Sequence, residues 1–102
     1  MPKTQETMQL PTPPTFTYQP DALDAITKEA LSAFEAGAPQ VVLDLDTLAR
    51  LDTDGVRGLI TILRRAREVG GDVALHVTRQ DLRRSLSVMA LDRLFPMVGA
   101  AA

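Results

Sequence analysis

The side chains best placed for chemistry stand together in Asp52-Thr53-Asp54-Gly55. An apolar run, Val41, Val42, Leu43 and Leu45, leads into this turn, and a helical pattern follows it directly. A buried strand feeding a polar turn at a helix N-terminus can display a reactive group beside free backbone N–H donors. The group here is the Thr53 hydroxyl. Its plain structural role there is to cap the helix, which contributes about 1 kcal/mol.

Other chemistry finds little support. There is no Gly-rich phosphate loop of either nucleotide-binding type. The single histidine, His76, is paired with no serine or cysteine nucleophile; the sequence offers it no catalytic or metal-binding partners nearby, and it reads as a partly exposed strand residue. Asp44 and Asp46 could approach a hard cation, but no loop has calcium-ligand spacing, so both read as loop solvation and turn formation. The chain has no cysteine, hence no disulfide and no thiolate metal site. We expect neither an enzyme nor a resident cofactor or metal.

Composition sets further bounds. The 102 residues suffice for one hydrophobic core. With 45% apolar and 24% charged residues the chain reads as globular rather than disordered. No apolar run is long enough to insert in a bilayer, and MPKTQETMQL lacks the apolar centre of a secretion signal. The expected compartment is the cytoplasm. The net charge of -2 hides an asymmetry, since all nine arginines lie from Arg50 onward. Arg64, Arg65, Arg67, Arg83 and Arg84 read as solvated helix faces. With one Tyr, three Phe and no Trp to interleave, a nucleic-acid surface is not expected.

The elements that must position Thr53 follow from periodicity. Residues 1–14 contain Pro2, Pro11, Pro13 and Pro14 and read as a flexible proline-rich tail. Thr15–Tyr18 suits a short edge strand. A helix is expected over about 21–36, with Asp21 as N-cap, an inner face of Leu23, Ile26, Ala30, Ala33 and Phe34, and Gly37 as its stop. The central strand covers Val41–Leu45, with Leu48 and Leu51 tucked under the loop that follows. The next helix runs from Asp54 or Gly55 to Val69, burying Val56, Leu59, Ile60, Leu63 and Ala66. Gly58 within it costs about 1 kcal/mol relative to alanine, so a close neighbour is expected there. After Gly70-Gly71, DVALHV alternates as a strand, with Val73, Leu75 and Val77 on one face. Together these form a right-handed βαβ unit. A last helix over 79–89 turns Leu82, Leu86 and Met89 inward, and Leu91, Leu94 and Phe95 continue the spacing. Pro96 breaks the pattern, Met97-Val98 reads as a last extended piece, and 99–102 as a frayed end.

VVLDLDTLARLDTDGVRGLITILRRAREVGGDVALHV, followed by LRRSLSVMALDRLF, resembles a STAS domain, and more narrowly the bacterial anti-sigma-factor antagonists. The likeness spans Asp21 to Val98 and is strongest over Val41–Val77. It implies an α/β fold in a single domain over 15–98. The sheet would be mixed and mostly parallel, of about four strands, with helices mainly on one face. It also implies that a serine/threonine kinase, often the anti-sigma factor itself, phosphorylates Thr53, and that only the unmodified protein binds this partner. The expected partner surface takes in Asp44, Asp46, Asp52, Thr53, Asp54, Gly55 and Arg57. Two departures stand out. Asp54 replaces the family's second hydroxyl, so a carboxylate either opposes the phosphate or imitates it. The family's N-terminal hairpin is reduced to the proline-rich stretch, leaving a sheet edge that a homodimer could use. A second function within the resemblance is the cytoplasmic STAS subunit of lipid-transport ABC complexes, where the threonine supports contact with an ATPase. A nucleotide-binding scaffold is a third, with no residue set that marks its pocket.

Overall fold

The computed structural model describes residues 13–99, so most of the expected tail and of the frayed C-terminus lies outside the described residues. Strand β1 (Thr15–Thr17) leads through a single 3-10 turn (Pro20–Ala22) to helix α1 (Leu23–Glu35). Strand β2 (Gln40–Asp44), helix α2 (Thr53–Glu68), strand β3 (Asp72–His76) and helix α3 (Gln80–Val88) follow. A second 3-10 turn (Leu91–Arg93) precedes strand β4 (Met97–Val98). The strands lie in the order β1-β2-β3-β4, and all three pairings are parallel. The mixed sheet expected from the sequence is thus parallel throughout among the described residues. The N-terminal strand pairs alongside β2 through a helical crossover, and Val42 N–H donates to Pro14 O at 2.8 Å.

Each neighbouring strand pair is joined by one helix, and right-handed crossovers in this order place all three helices on the same face. Val41, Leu43 and Leu45 of β2 and its end, with Val73, Leu75 and Val77 along β3, point into the core beneath them. Ile26 and Ala30 of α1, Leu59, Ile62, Leu63 and Ala66 of α2, and Leu82 and Leu86 of α3 close over these residues. The period-2 alternation of the strands turns Asp44 and His76 to the opposite face.

Several local details differ from the periodicity reading. Asp21 lies in the 3-10 turn and makes no cap bond; α1 begins after Ala22. The buried stripe of α2 takes in Ile62, while Val56 and Ile60 are only partly buried, because α1 packs beside α2 and draws its inner face round. Met89 and Leu94 are exposed, 39% and 40%, since α3 stops at Val88 and the chain then turns away. Gly71 lets the chain pass Phe34 closely: a Cβ there would stand 2.4 Å from the ring.

Gly58 has the close neighbour its position demands. A Cβ on it would lie 2.2 Å from the Tyr18 hydroxyl. Helix propensity alone predicts that Gly58→Ala stabilises by about 1 kcal/mol. Packing predicts the reverse, a loss of roughly 1–3 kcal/mol from overfilling. Urea denaturation should show the loss, and combining the change with Tyr18→Phe should relieve most of it. A stabilised single variant would contradict this packing.

Candidate functional site

The head of α2 is built by three side chains from different parts of the chain. Asp52, in extended conformation, is the N-cap, and its Oδ1 accepts the Gly55 N–H at 2.9 Å. Asp rather than Thr therefore caps the helix. Thr53 becomes the first helical residue, it is exposed, and among the described residues no hydrogen bond occupies its hydroxyl. Asp54, also exposed, adds negative charge to the first turn, where the helix dipole favours it. Leu51, partly buried against the core, anchors the chain just before the cap.

Beneath this turn sits Tyr18. Its side chain is fully buried, and its hydroxyl donates to the Gly55 carbonyl at 2.7 Å. Burial, helped by the nearby Asp52 carboxylate, pushes its pKa up to about 12. Tyr18 itself is pinned at the end of β1, where its N–H donates to Asp44 O at 2.9 Å. One residue thus ties the first strand, the second strand and the first turn of α2 together.

The loop between β2 and α2 is braced from the other side by Arg79. Its guanidinium donates to the carbonyl oxygens of Asp46 (3.2 Å), Leu48 and Ala49 (3.4 Å). It also forms a forked pair with Asp81, Nη2 to Oδ2 at 2.6 Å and Nε to Oδ1 at 3.2 Å. The Arg79 guanidinium holds the Asp81 carboxyl below its ordinary value. A fork of donors in one plane suits three carbonyls of one loop better than an ammonium would.

An open groove of about 450 Å³ runs beside the turn. Pro20, Asp21 and Leu23 wall one side, Asp52, Asp54 and Arg57 the other, and Gly58 lies at its base. Arg57 is exposed one turn beyond Thr53, at the i+4 spacing that puts two side chains on the same helix face.

Of the residues expected to form a partner surface, Asp52, Thr53, Asp54, Gly55 and Arg57 gather at the head of α2. Of the expected residues only Asp52, Asp54 and Arg57 line the groove; Thr53 and Gly55 do not, and neither do Asp44 and Asp46. These last two turn toward β3, where Asp46 accepts the Thr78 N–H at 2.9 Å and the Thr78 hydroxyl at 2.7 Å. Burial pushes the Asp46 carboxyl up, but the Thr78 amide and hydroxyl, the Arg79 amide and the His76 imidazole outweigh it, and its pKa falls below the ordinary value. His76, read from the sequence as lacking partners, has both: Nδ1 lies 3.5 Å from Asp44 Oδ1 and 3.5 Å from Asp46 Oδ2. Sequence reasoning missed these contacts because they depend on strand register. Tyr18, Thr78 and Arg79 were also missed, and only the need of Gly58 for a close neighbour hinted at the first.

Residues 19–99 match the family model described as "Mlab, STAS domain", and the chain belongs to that STAS family. No curated protein is matched by the chain. Among solved structures, the NMR structure of the Thermotoga maritima protein TM1081 aligns with a TM-score of 0.66 at 19% identity, over 84% of this chain and 73% of that one. The crystal structure of the same protein, a proposed anti-sigma factor antagonist, aligns at 0.61 and 19% identity, over 86% and 73%. At this identity the likeness establishes the shared fold.

Tyr18 is the chain's sole tyrosine, so its titration is directly visible as tyrosinate absorbance. That absorbance should appear as the pH passes about 12, not at the ordinary 10.0. A raised folded-state pKa means that the folded protein holds the proton more tightly. The contribution to stability is full below about pH 10, falls as the pH rises through about 12, and is roughly 2–3 kcal/mol in all. Tyr18→Phe should abolish that part of the alkaline loss. A titration midpoint near 10 in the folded protein would contradict the burial of this hydroxyl.

Proposed function

We propose that this chain is a non-enzymatic, cytoplasmic signalling switch of the anti-sigma-factor-antagonist type, read by a partner at the head of α2 and controlled by phosphorylation of Thr53. The observation that carries this reading is the exposed Thr53 hydroxyl, left without a hydrogen bond among the described residues because Asp52 has taken over the cap. A capping hydroxyl would have to leave its amide partner to accept a phosphate; this one does not. The crystal structure with the same fold belongs to a proposed anti-sigma factor antagonist, which supports the same reading.

The electrostatics are consistent with a switch. A phosphate on Thr53 meets the positive end of the helix dipole, so the domain tolerates it. Arg57, one turn on, offers it a cation. Asp52 and Asp54 keep the turn acidic in both states, so the modification deepens a charge already present. A partner fitted to the neutral hydroxyl and the neighbouring groove would lose a good fit on meeting a dianion.

Membership of the STAS family is compatible with a second reading, in which the same surface contacts the ATPase of a lipid-transport ABC complex and Thr53 acts unmodified. Asp54 beside Thr53 suits a site that is not phosphorylated, since a carboxylate opposes the incoming charge. Both readings use the same exposed turn, and they differ in the partner and in the fate of the hydroxyl.

Incubation with an anti-sigma-factor kinase and ATP, followed by mass spectrometry, should find phosphate on Thr53 and none on a Thr53→Ala variant. Thr53→Glu should weaken binding of that partner tenfold or more, about 1.4 kcal/mol, with the melting temperature nearly unchanged. An unmodified Thr53, together with undiminished binding by Thr53→Glu, would end the switch reading. Co-purification with an ATPase would then support the second.

A further inference from the structure

The geometry points to a divalent transition-metal site formed by Asp44, Asp46 and His76 on the open face of the sheet, at the C-terminal ends of β2 and β3. It does not rest on the role of Thr53. In the parallel register Asp44 stands directly beside His76. Asp46 comes back to the same point because its N–H donates to Asp44 Oδ1 at 2.9 Å.

His76 Nδ1 is shut off from solvent and, among the described residues, makes no hydrogen bond. An imidazole N–H facing carboxylates would ordinarily settle in line on one of them, at about 2.7–2.9 Å. Here Nδ1 lies 3.5 Å from an oxygen of each. Ligands around a four-coordinate ion with bonds of about 2.0–2.2 Å are separated by roughly 3.4 Å. Potential ligand atoms of all three residues lie within 4.8 Å of one another, so a modest closing movement would complete three corners.

The surroundings favour the same reading. The amide and hydroxyl of Thr78 orient Asp46, and the Asp46 amide orients Asp44, as outer partners do at metal centres. The chain at Gly99 passes close to the far edge of the imidazole, where an added Cβ would lie 2.9 Å from Cδ2 and Nε2. Two carboxylates and a neutral imidazole balance a divalent charge. One nitrogen and two oxygens suit zinc, cobalt or nickel; magnesium and calcium call for more oxygen ligands. The three residues leave at least one position open for water or for a ligand from another molecule.

The test is titration of the full chain with Co²⁺ and Zn²⁺ near neutral pH. We expect one ion per chain, a cobalt ligand-field absorption, and a rise in melting temperature. His76→Ala and Asp46→Asn should each weaken binding tenfold or more and remove that rise, whereas Glu29→Gln, on the exposed side of α1, should leave both unchanged. Because His76 is the only histidine, its ring nitrogen signals in NMR read the site without ambiguity and without a variant that must fold. Zinc should shift Nδ1 as a ligand. No binding, binding through Nε2, or binding indifferent to His76 and Asp46 would overturn the assignment and leave a solvated histidine between two carboxylates.

Discussion

The position of the α2 head depends on one buried hydrogen bond, from the Tyr18 hydroxyl to the Gly55 carbonyl. A phenol in apolar surroundings must find a partner, since an unmet buried polar group costs about 1–3 kcal/mol. The partner here is a carbonyl in the first turn of a helix. The same hydroxyl fills the space a Cβ on Gly58 would take. These two conditions, a satisfied phenol and a missing methyl, fix the height and rotation at which α2 meets the sheet. The exposure of Thr53 follows from that placement, because the face of the turn opposite Tyr18 is the face left to solvent.

The other constraint is the all-parallel register. In open α/β sheets, functional groups collect beyond the carboxyl ends of the strands, and both features of this domain lie there. Asp44 and Asp46 at the end of β2 meet His76 at the end of β3 on the uncovered face. A few residues further on, the same loop delivers Asp52 and Thr53 to α2. Arg79 holds the first part of the loop between them by the carbonyl oxygens of Asp46, Leu48 and Ala49.

Much of this was legible in the sequence because hydrophobic period is a strong signal. The alternation of DVALHV, the run of VVL, and the glycines at the helix ends specify a strand-helix-strand unit with little ambiguity. Gly58 was legible as a close contact, but Tyr18 as its partner was not, since distance along the chain carries no register. The cap shows a finer limit. Asp52 and Thr53 are adjacent and both are good N-caps, so a shift of one residue in the helix start decides which hydroxyl or carboxylate remains free. His76 illustrates the same point in reverse. Read alone it has no partners; read against a parallel β2 it has two. Ile62 in place of Ile60 on the buried face reflects α1 packing alongside, a tertiary effect that the period of one helix cannot contain.

The central claim is that the Tyr18 hydroxyl sets the first turn of α2 and thereby the display of Thr53. Amide hydrogen exchange, residue by residue, in the native chain and in Tyr18→Phe tests it most directly. The account predicts exchange accelerated at Gly55, Val56 and their neighbours in the first turn, with protection of Val41–Leu43 and Val73–Leu75 kept. Unchanged exchange in that turn, or an equal loss across the whole sheet, would contradict it.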